Sequence, residues 1–184
     1  EKSGIKHLSF NKGELKFYDK ENYVVSIKDI DFKYKKQKKS SSASLEGKFL
    51  NDVITINFKN ERLKDELSHI ISLKLINSGI FTKINILSPY KKDNSIRGNV
   101  LLKKDKNRLS ANFDYKNKKM NLKDSKVRNA FLDGKLNGVI EFSPYFNFDL
   151  DLDLKGINFN KFYSYLTNME MAKKKKIFQI NEKL

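Results

Sequence analysis

Phe146-Asn-Phe-Asp-Leu-Asp-Leu-Asp-Leu154 alternates without a break. Phe146, Phe148, Leu150, Leu152 and Leu154 occupy every second position, and Asn147, Asp149, Asp151 and Asp153 fill the others. A period of two marks a β-strand with one apolar and one polar face, because successive Cβ atoms point to opposite sides of the pleat. A chain made of such strands builds a one-sided sheet, and its role depends on what covers the apolar side.

The same period runs through most of the chain. Residues 5–10 and 14–18 read as two short strands around Asn11-Lys12-Gly13, followed by 23–28 and 30–34. A basic, Ser-rich loop is expected over 35–42. Strands are then predicted over 44–49, 53–58, 71–76, 81–87, 96–103, 108–115, 119–122, 127–132, 136–142 and 146–154. Residues 60–71 stand apart, because Leu63, Leu67, Ile70 and Ile71 follow helical spacing and Asn60 could cap them. Asn158 is the predicted N-cap of a helix reaching about Leu166, with Phe159, Phe162, Tyr163 and Leu166 on one side. The count is about a dozen strands at the spacing of all-β architecture. No long helices alternate with them, which excludes a parallel α/β fold.

A unit recurs three times: Leu45-Glu-Gly47-Lys-Phe49, Ile96-Arg-Gly98-Asn-Val100 and Leu136-Asn-Gly138-Val-Ile140. Each is followed by a connection and an alternating strand. The glycines read as polar-face residues marking a bend or bulge. Recurrence at the same place in three hairpins suggests a modular, extendable sheet.

A strand of ~7 residues is ~23 Å long and its neighbours lie ~4.8 Å away, so ten strands present an apolar face of roughly 1,100 Å². Soluble monomers seldom leave more than about 300–600 Å² of contiguous apolar surface uncovered. Two solutions fit the pattern. The sheet closes on itself as a sandwich or barrel with a dry core, or it curls into an open trough that holds an apolar ligand.

Composition narrows the chemistry. The 184 residues fit one domain or a piece of a longer protein, and 169–184 form a basic tail beyond the strands and helix. With no Cys there is no disulfide, thiolate nucleophile or thiolate metal site. The net charge is +16, which fits an acidic partner or simply a biased composition. Arg occurs only at Arg62, Arg97, Arg108 and Arg128, and base readers favour the Arg fork. Aromatic residues also alternate with charges onto opposite faces, so nucleic acid is an unlikely partner. Asp149, Asp151 and Asp153 are ~6.8 Å apart along their strand, too far for one cation, and read as a solvated face neutralised by cross-strand lysines. His7 and His69 have no catalytic or metal-binding partner at a recognisable spacing, and no phosphate loop is present. No catalytic residue, metal or cofactor is expected.

Leu136-Asn-Gly-Val-Ile-Glu-Phe-Ser-Pro-Tyr-Phe-Asn-Phe-Asp-Leu-Asp-Leu-Asp-Leu154, followed by Gly156-Ile-Asn-Phe-Asn-Lys-Phe162, resembles the closing segment of bacterial AsmA-like envelope proteins. Ile5-Lys-His-Leu-Ser-Phe10, Gly13-Glu-Leu-Lys-Phe-Tyr-Asp19 and Val25-Ser-Ile-Lys-Asp-Ile-Asp-Phe32 are similar to that family's opening phrase. The centre follows the pattern without a diagnostic motif. The resemblance implies that 1–168 is an AsmA-like segment: an extended, curled antiparallel sheet forming an apolar groove, with a short C-terminal helix. It further implies a non-catalytic role in phospholipid transport and outer-membrane biogenesis. The setting would be the periplasm of a diderm bacterium, with the parent protein anchored in the inner membrane.

On that reading the groove is lined by the alternating apolar residues Ile54, Ile56, Phe58, Phe81, Ile84, Ile86, Leu109, Phe113, Ile140, Phe142, Phe146, Phe148, Leu150 and Leu152. Its cargo is phospholipid or another acyl-chain lipid. Lys173, Lys174, Lys175 and Lys176 are candidates for an anionic membrane surface. The other reading is a structural or assembly module of the envelope that keeps a closed core and meets other envelope proteins through its edge strands.

Overall fold

The structure, a computed structural model, describes residues 5–90 and 95–168. They form eleven strands: β1 (His7–Asp19), β2 (Asn22–Lys36), β3 (Ser40–Phe49), β4 (Asp52–Arg62), β5 (Glu66–Leu75), β6 (Ile80–Pro89), β7 (Ile96–Lys104), β8 (Asn107–Lys116), β9 (Lys119–Arg128), β10 (Leu132–Glu141) and β11 (Asn147–Ile157). One helix, α1 (159–168), follows. The strands pair in chain order, so the sheet is a continuous antiparallel meander. It is curled and unclosed: β1 pairs only with β2, and β11 only with β10. This is the mainly β architecture expected, one curled sheet with a short C-terminal helix, and of the two solutions that fit the period-two pattern it is the open one.

Tight turns enforce the meander. Asn117 and Lys118, between β8 and β9, both have positive φ (51° and 65°), the backbone twist that suits a two-residue hairpin. Asp52 secures the β5–β6 turn from across the sheet. Its carboxylate accepts the backbone N–H groups of Asn77 (2.7 Å) and Ser78 (2.8 Å). Burial pushes this carboxyl up, but the hydrogen bonds from Ser78, Asn77 and Val53 outweigh it and hold it below the ordinary value.

Several predicted breaks are bulges within longer strands. The stretches read as 5–10 and 14–18 fall in one strand, β1, which begins at His7 and carries an extra residue near Lys12; 23–34 is one strand with an extra residue at Asp29, and β9 carries another at Asp124. Lys12, Asp29 and Asp124 all have positive φ (57°, 50° and 48°), the bulge conformation that sharpens strand twist. At the β2 bulge the Asp29 carboxylate lies 2.9 Å from the Lys48 ammonium, whose hydrogen bond and charge hold Asp29 below its usual range. The loop expected over 35–42 is limited to 37–39, because Ser40, Ser41 and Ser42 pair with Glu61, Asn60 and Lys59 of β4.

The stretch 60–71, which reads as a short helix or turn leading into a strand from Ile71, is a β-hairpin whose turn spans 63–65, with β4 running to Arg62 and β5 starting at Glu66. Residues four apart share a face in a helix and in a strand alike, so Leu67 and Ile71 satisfied both templates. Leu63 lies in the turn, and Ile70 faces away from Leu67 and Ile71. Asn60 caps nothing; it pairs across the strands with His69. The basic tail predicted for 169–184 lies outside the described residues.

Register decides which side chains share a face, since cross-strand partners project to the same side. One row reads Phe32, Leu45, Ile56, Leu73, Thr82, Leu102, Leu109, Val127. The next reads Tyr34, Ala43, Phe58, Ile71, Ile84, Val100, Ala111. The opposite face carries the ion pairs Lys16–Glu14, Lys59–Glu61, Arg97–Glu66, Lys119–Glu141 and Lys123–Asp114. With their lysine or arginine in solvent, those pairs are weak and serve solubility more than stability.

All six buried apolar residues stand on the first face. Ile27, Ile30 and Ile54 form one cluster, and Ala111, Phe113 and Leu122 another. No second layer lies over either cluster among the described residues. Their cover comes from neighbours such as Leu45, Leu73, Ile86 and Leu136 on the same face. Side chains on a single layer can bury one another only where the sheet bends toward them, so the apolar face is the concave one.

Candidate functional site

The concave apolar face is the candidate site. Ile54, Ile56 and Phe58 of β4, Ile84 and Ile86 of β6, and Leu109 and Phe113 of β8 all project onto it. Ile140 of β10 and Phe148, Leu150 and Leu152 of β11 continue it. Phe142 and Phe146 lie in the β10–β11 turn and extend the face as a chain of rings. Tyr115 and Phe142 are 6.1 Å apart, Phe142 and Phe146 6.0 Å, and Phe146 and Phe148 6.1 Å.

Phe81 is the exception. It pairs with Lys74 and Lys103 on the convex face, with the Lys74 ammonium 5.8 Å from its ring. In the run Ile80-Phe-Thr-Lys-Ile84 the apolar residues fall on both parities, and register puts Ile80, Thr82 and Ile84 inside. Other residues of the face were not singled out, notably Ile27, Ile30, Leu73, Val100, Leu122 and Leu136. Each shares the parity of a residue that was, so carrying the period across each hairpin would have found most of them. The bulges at Asp29 and Asp124 hide Ile27 and Leu122, because one extra residue reverses parity within the strand.

The three recurrent glycines are also on this face, not on the polar one. Gly47 is paired with Ile54, Gly98 with Ile86 and Phe113, and Gly138 with Leu122 and Leu150. A side chain at Gly98 would meet the Asn85 carbonyl oxygen at 2.2 Å and the Phe113 ring at 2.7 Å. On a concave face neighbouring side chains converge, and omitting one gives the strands room to bend.

The face is apolar to the bottom of β7–β11 but not of β2–β5, taking as bottom the end that bears the β2–β3 and β4–β5 turns. There the row beyond Phe58 reads Lys36, Ser41, Asn60, His69. His69 is therefore not partnerless. Its Nδ1 donates to Asn60 Oδ1, which can only accept, and this leaves Nε2 to accept from Ser88 Oγ at 3.3 Å. Among the described residues no carboxylate joins the group, which is a polar network of an amide, an imidazole and a hydroxyl.

Asp153 lies opposite Lys135, whereas Asp151 faces Asn137 and Asp149 faces Val139. The acidic row is thus solvated on the convex face, with a basic cross-strand neighbour at one of its three positions. Among the described residues no three metal-ligating side chains converge. No described helix is long and apolar enough to cross a membrane. Lys173–Lys176 lie outside the described residues.

The arrangement can bury apolar chains without directional contacts, in an open concave strip floored by aliphatic side chains. Fold and site together define an open, one-layer antiparallel β protein with an apolar trough. The chain matches no family model, no curated protein and no solved structure.

Proposed function

We propose that this chain is a non-catalytic lipid-handling segment that shields acyl chains in its apolar trough, as its resemblance to AsmA-like proteins implies. One observation carries the reading: a contiguous apolar face spans eleven strands with no second layer among the described residues. Phe148 is 60% exposed, and Leu8, Phe10, Leu15, Phe17, Leu152 and Leu154 are exposed as well. These side chains stand on the same face in one patch at each edge of the sheet, and half-buried apolar residues of the strands between, such as Ile56, Leu73, Ile84 and Val100, join the two. A face of this extent exceeds what soluble monomers leave to water. Acyl chains satisfy it because burial is non-directional and gains ~25 cal/mol per Å². Periplasmic placement, an inner-membrane anchor in the parent protein and a part in outer-membrane biogenesis follow from the resemblance and belong to the same proposal.

The test is native mass spectrometry of the chain after incubation with phospholipid micelles and re-isolation. Bound phospholipid is expected on the native chain, with a large loss in Ile140→Asp and Phe148→Asp. Phe148 is already mostly exposed, so its variant keeps the packed clusters intact. A lipid-free native chain, or full occupancy in both variants, would turn attention to edge-strand assembly with other envelope proteins.

A further inference from the structure

The lower margin of the trough carries cations that form no ion pair among the described residues. Lys36 pairs with Ser41 across β2 and β3, and Arg62 pairs with Leu67 across β4 and β5. Both therefore project to the apolar face, Lys36 one row and Arg62 two rows beyond the Tyr34–Phe58–Ile71 row. Lys38 and Lys39, in the β2–β3 turn, stand beside them around a cleft of about 390 Å³ whose walls include Ser41 and Asn60. None of these four cations has an ion-pair partner among the described residues, whereas Lys59, Arg97, Lys119 and Lys123 all do. One carboxylate borders the cleft, that of Glu61, and Lys59 holds it at 3.0 Å.

All four cations are exposed, so an anion in the cleft can reach them and form charge-assisted hydrogen bonds. The margin also supplies neutral donors. The Asn60 amide donates to Ser41 Oγ at 3.5 Å, and the Asn60–His69–Ser88 network continues the polar strip to β6. A polar, basic cleft directly continuous with Phe58 and Ile71 matches one amphiphile end to end. The acyl chains would lie on the hydrocarbon floor and a phosphate-bearing head group in the cleft, whose volume is in the range of small-molecule pockets (~300–1,000 Å³).

We propose that this cleft is a head-group site selecting anionic phospholipid, with Lys36 and Arg62 as the principal contacts and Lys38 and Lys39 as field. The inference rests on the lipid-handling reading and adds to it a polarity: the lipid lies with its head at the β2–β4 lower margin. The occupant is the head group of the carried lipid, and free phosphate and the surface of an intact membrane are the alternatives to be separated.

The experiment offers the full chain equimolar phosphatidylglycerol and phosphatidylcholine with identical acyl chains in mixed micelles. Bound lipids are counted by native mass spectrometry. The trough grips both lipids equally, so retained phosphatidylcholine reports on the trough and the ratio of the two reports on the cleft. The native chain is expected to favour phosphatidylglycerol by about tenfold, equivalent to 1.4 kcal/mol. Lys36→Gln combined with Arg62→Gln should bring the ratio near one while keeping phosphatidylcholine. Lys103→Gln with Arg108→Gln removes the same charge from the convex face and should leave the preference intact.

A ratio near one in the native chain overturns the head-group site, as does an equal loss in the convex-face control. The trough reading would survive either result if phosphatidylcholine is retained. Excess glycerol 3-phosphate should not abolish the ratio; if it does, the cleft reads soluble phosphate. If the cleft variant loses co-sedimentation with phosphatidylglycerol vesicles while its bound-lipid ratio is unchanged, the cations serve a membrane surface and the proposal fails. A native chain that retains neither lipid removes the trough reading and the head-group site together.

Discussion

Gly138 and Gly156 lie at facing ends of one hairpin and are not equivalent. Gly138 has φ of +137°, and a Cβ there would lie 2.1 Å from the Asp149 carbonyl oxygen and 2.8 Å from the Leu150 Cα. Both obstacles are backbone of the neighbouring strand and cannot rotate away. Nothing lies within 4 Å of a Cβ at Gly156. Gly138→Ala is therefore expected to destabilise the chain by about 1–3 kcal/mol, the usual cost of a strained backbone conformation. Gly156→Ala should stay within ~0.5 kcal/mol of the parent, as open surface positions do. Urea unfolding of the two variants reads the contrast, and equal midpoints would mean that β10 and β11 slide apart to admit a side chain. The apolar-x-Gly-x-apolar spacing was visible in the sequence, and parity alone places its glycine beside the apolar residues. What parity does not convey is curvature, and curvature is the reason the apolar face tolerates a missing side chain.

At the scale of elements, α1 is the one helix outside the sheet among the described residues, and its attachment is local. Asn158 Oδ1 accepts the Lys161 N–H at 3.0 Å, and the Asn158 N–H donates to the Phe131 carbonyl at 2.7 Å. The Phe131 ring, in the β9–β10 turn, lies 5.3 Å from both Phe162 and Tyr165. Asn158→Ala removes the cap at a cost of about 1 kcal/mol. It should raise amide exchange in α1 and the β9–β10 turn while β3–β6 keep their protection. Loss of protection across the whole sheet would instead make α1 part of one cooperative unit. The cap at Asn158 was legible because Phe159, Phe162, Tyr163 and Leu166 fit helical spacing while falling on both strand parities, so only the helical period accepts them. β5 was not, because Leu67 and Ile71 are four apart, a spacing that both periods accept. The bulged strands β1, β2 and β9 were read as broken for a related reason: an extra residue interrupts alternation just as a turn does, and only pairing with the neighbouring strand tells them apart.

For the whole molecule, the decisive fact is that the apolar face has one layer among the described residues. A closed core needs nothing from outside, whereas an open trough leaves part of its hydrophobic stabilisation unrealised until a ligand covers it. Stability should then depend on loading. A ligand that binds the folded chain and not the unfolded one adds RT ln(1 + [L]/Kd), about 2.7 kcal/mol at a hundredfold excess over Kd. For a chain of this length that corresponds to a rise in Tm of roughly 5–10 °C, taking ~2–4 °C per kcal/mol. Scanning calorimetry of delipidated and phospholipid-loaded chain should show this shift. Phe148→Asp, at the open β11 edge, should reduce the shift while the delipidated Tm stays near that of the parent, because Phe148 is mostly exposed before loading. Loaded and empty chains melting together would mean that the concave face is stable as it stands. The exposed edges of β1 and β11 would then be the surfaces to examine, since each still offers a row of unpaired backbone groups to a partner strand.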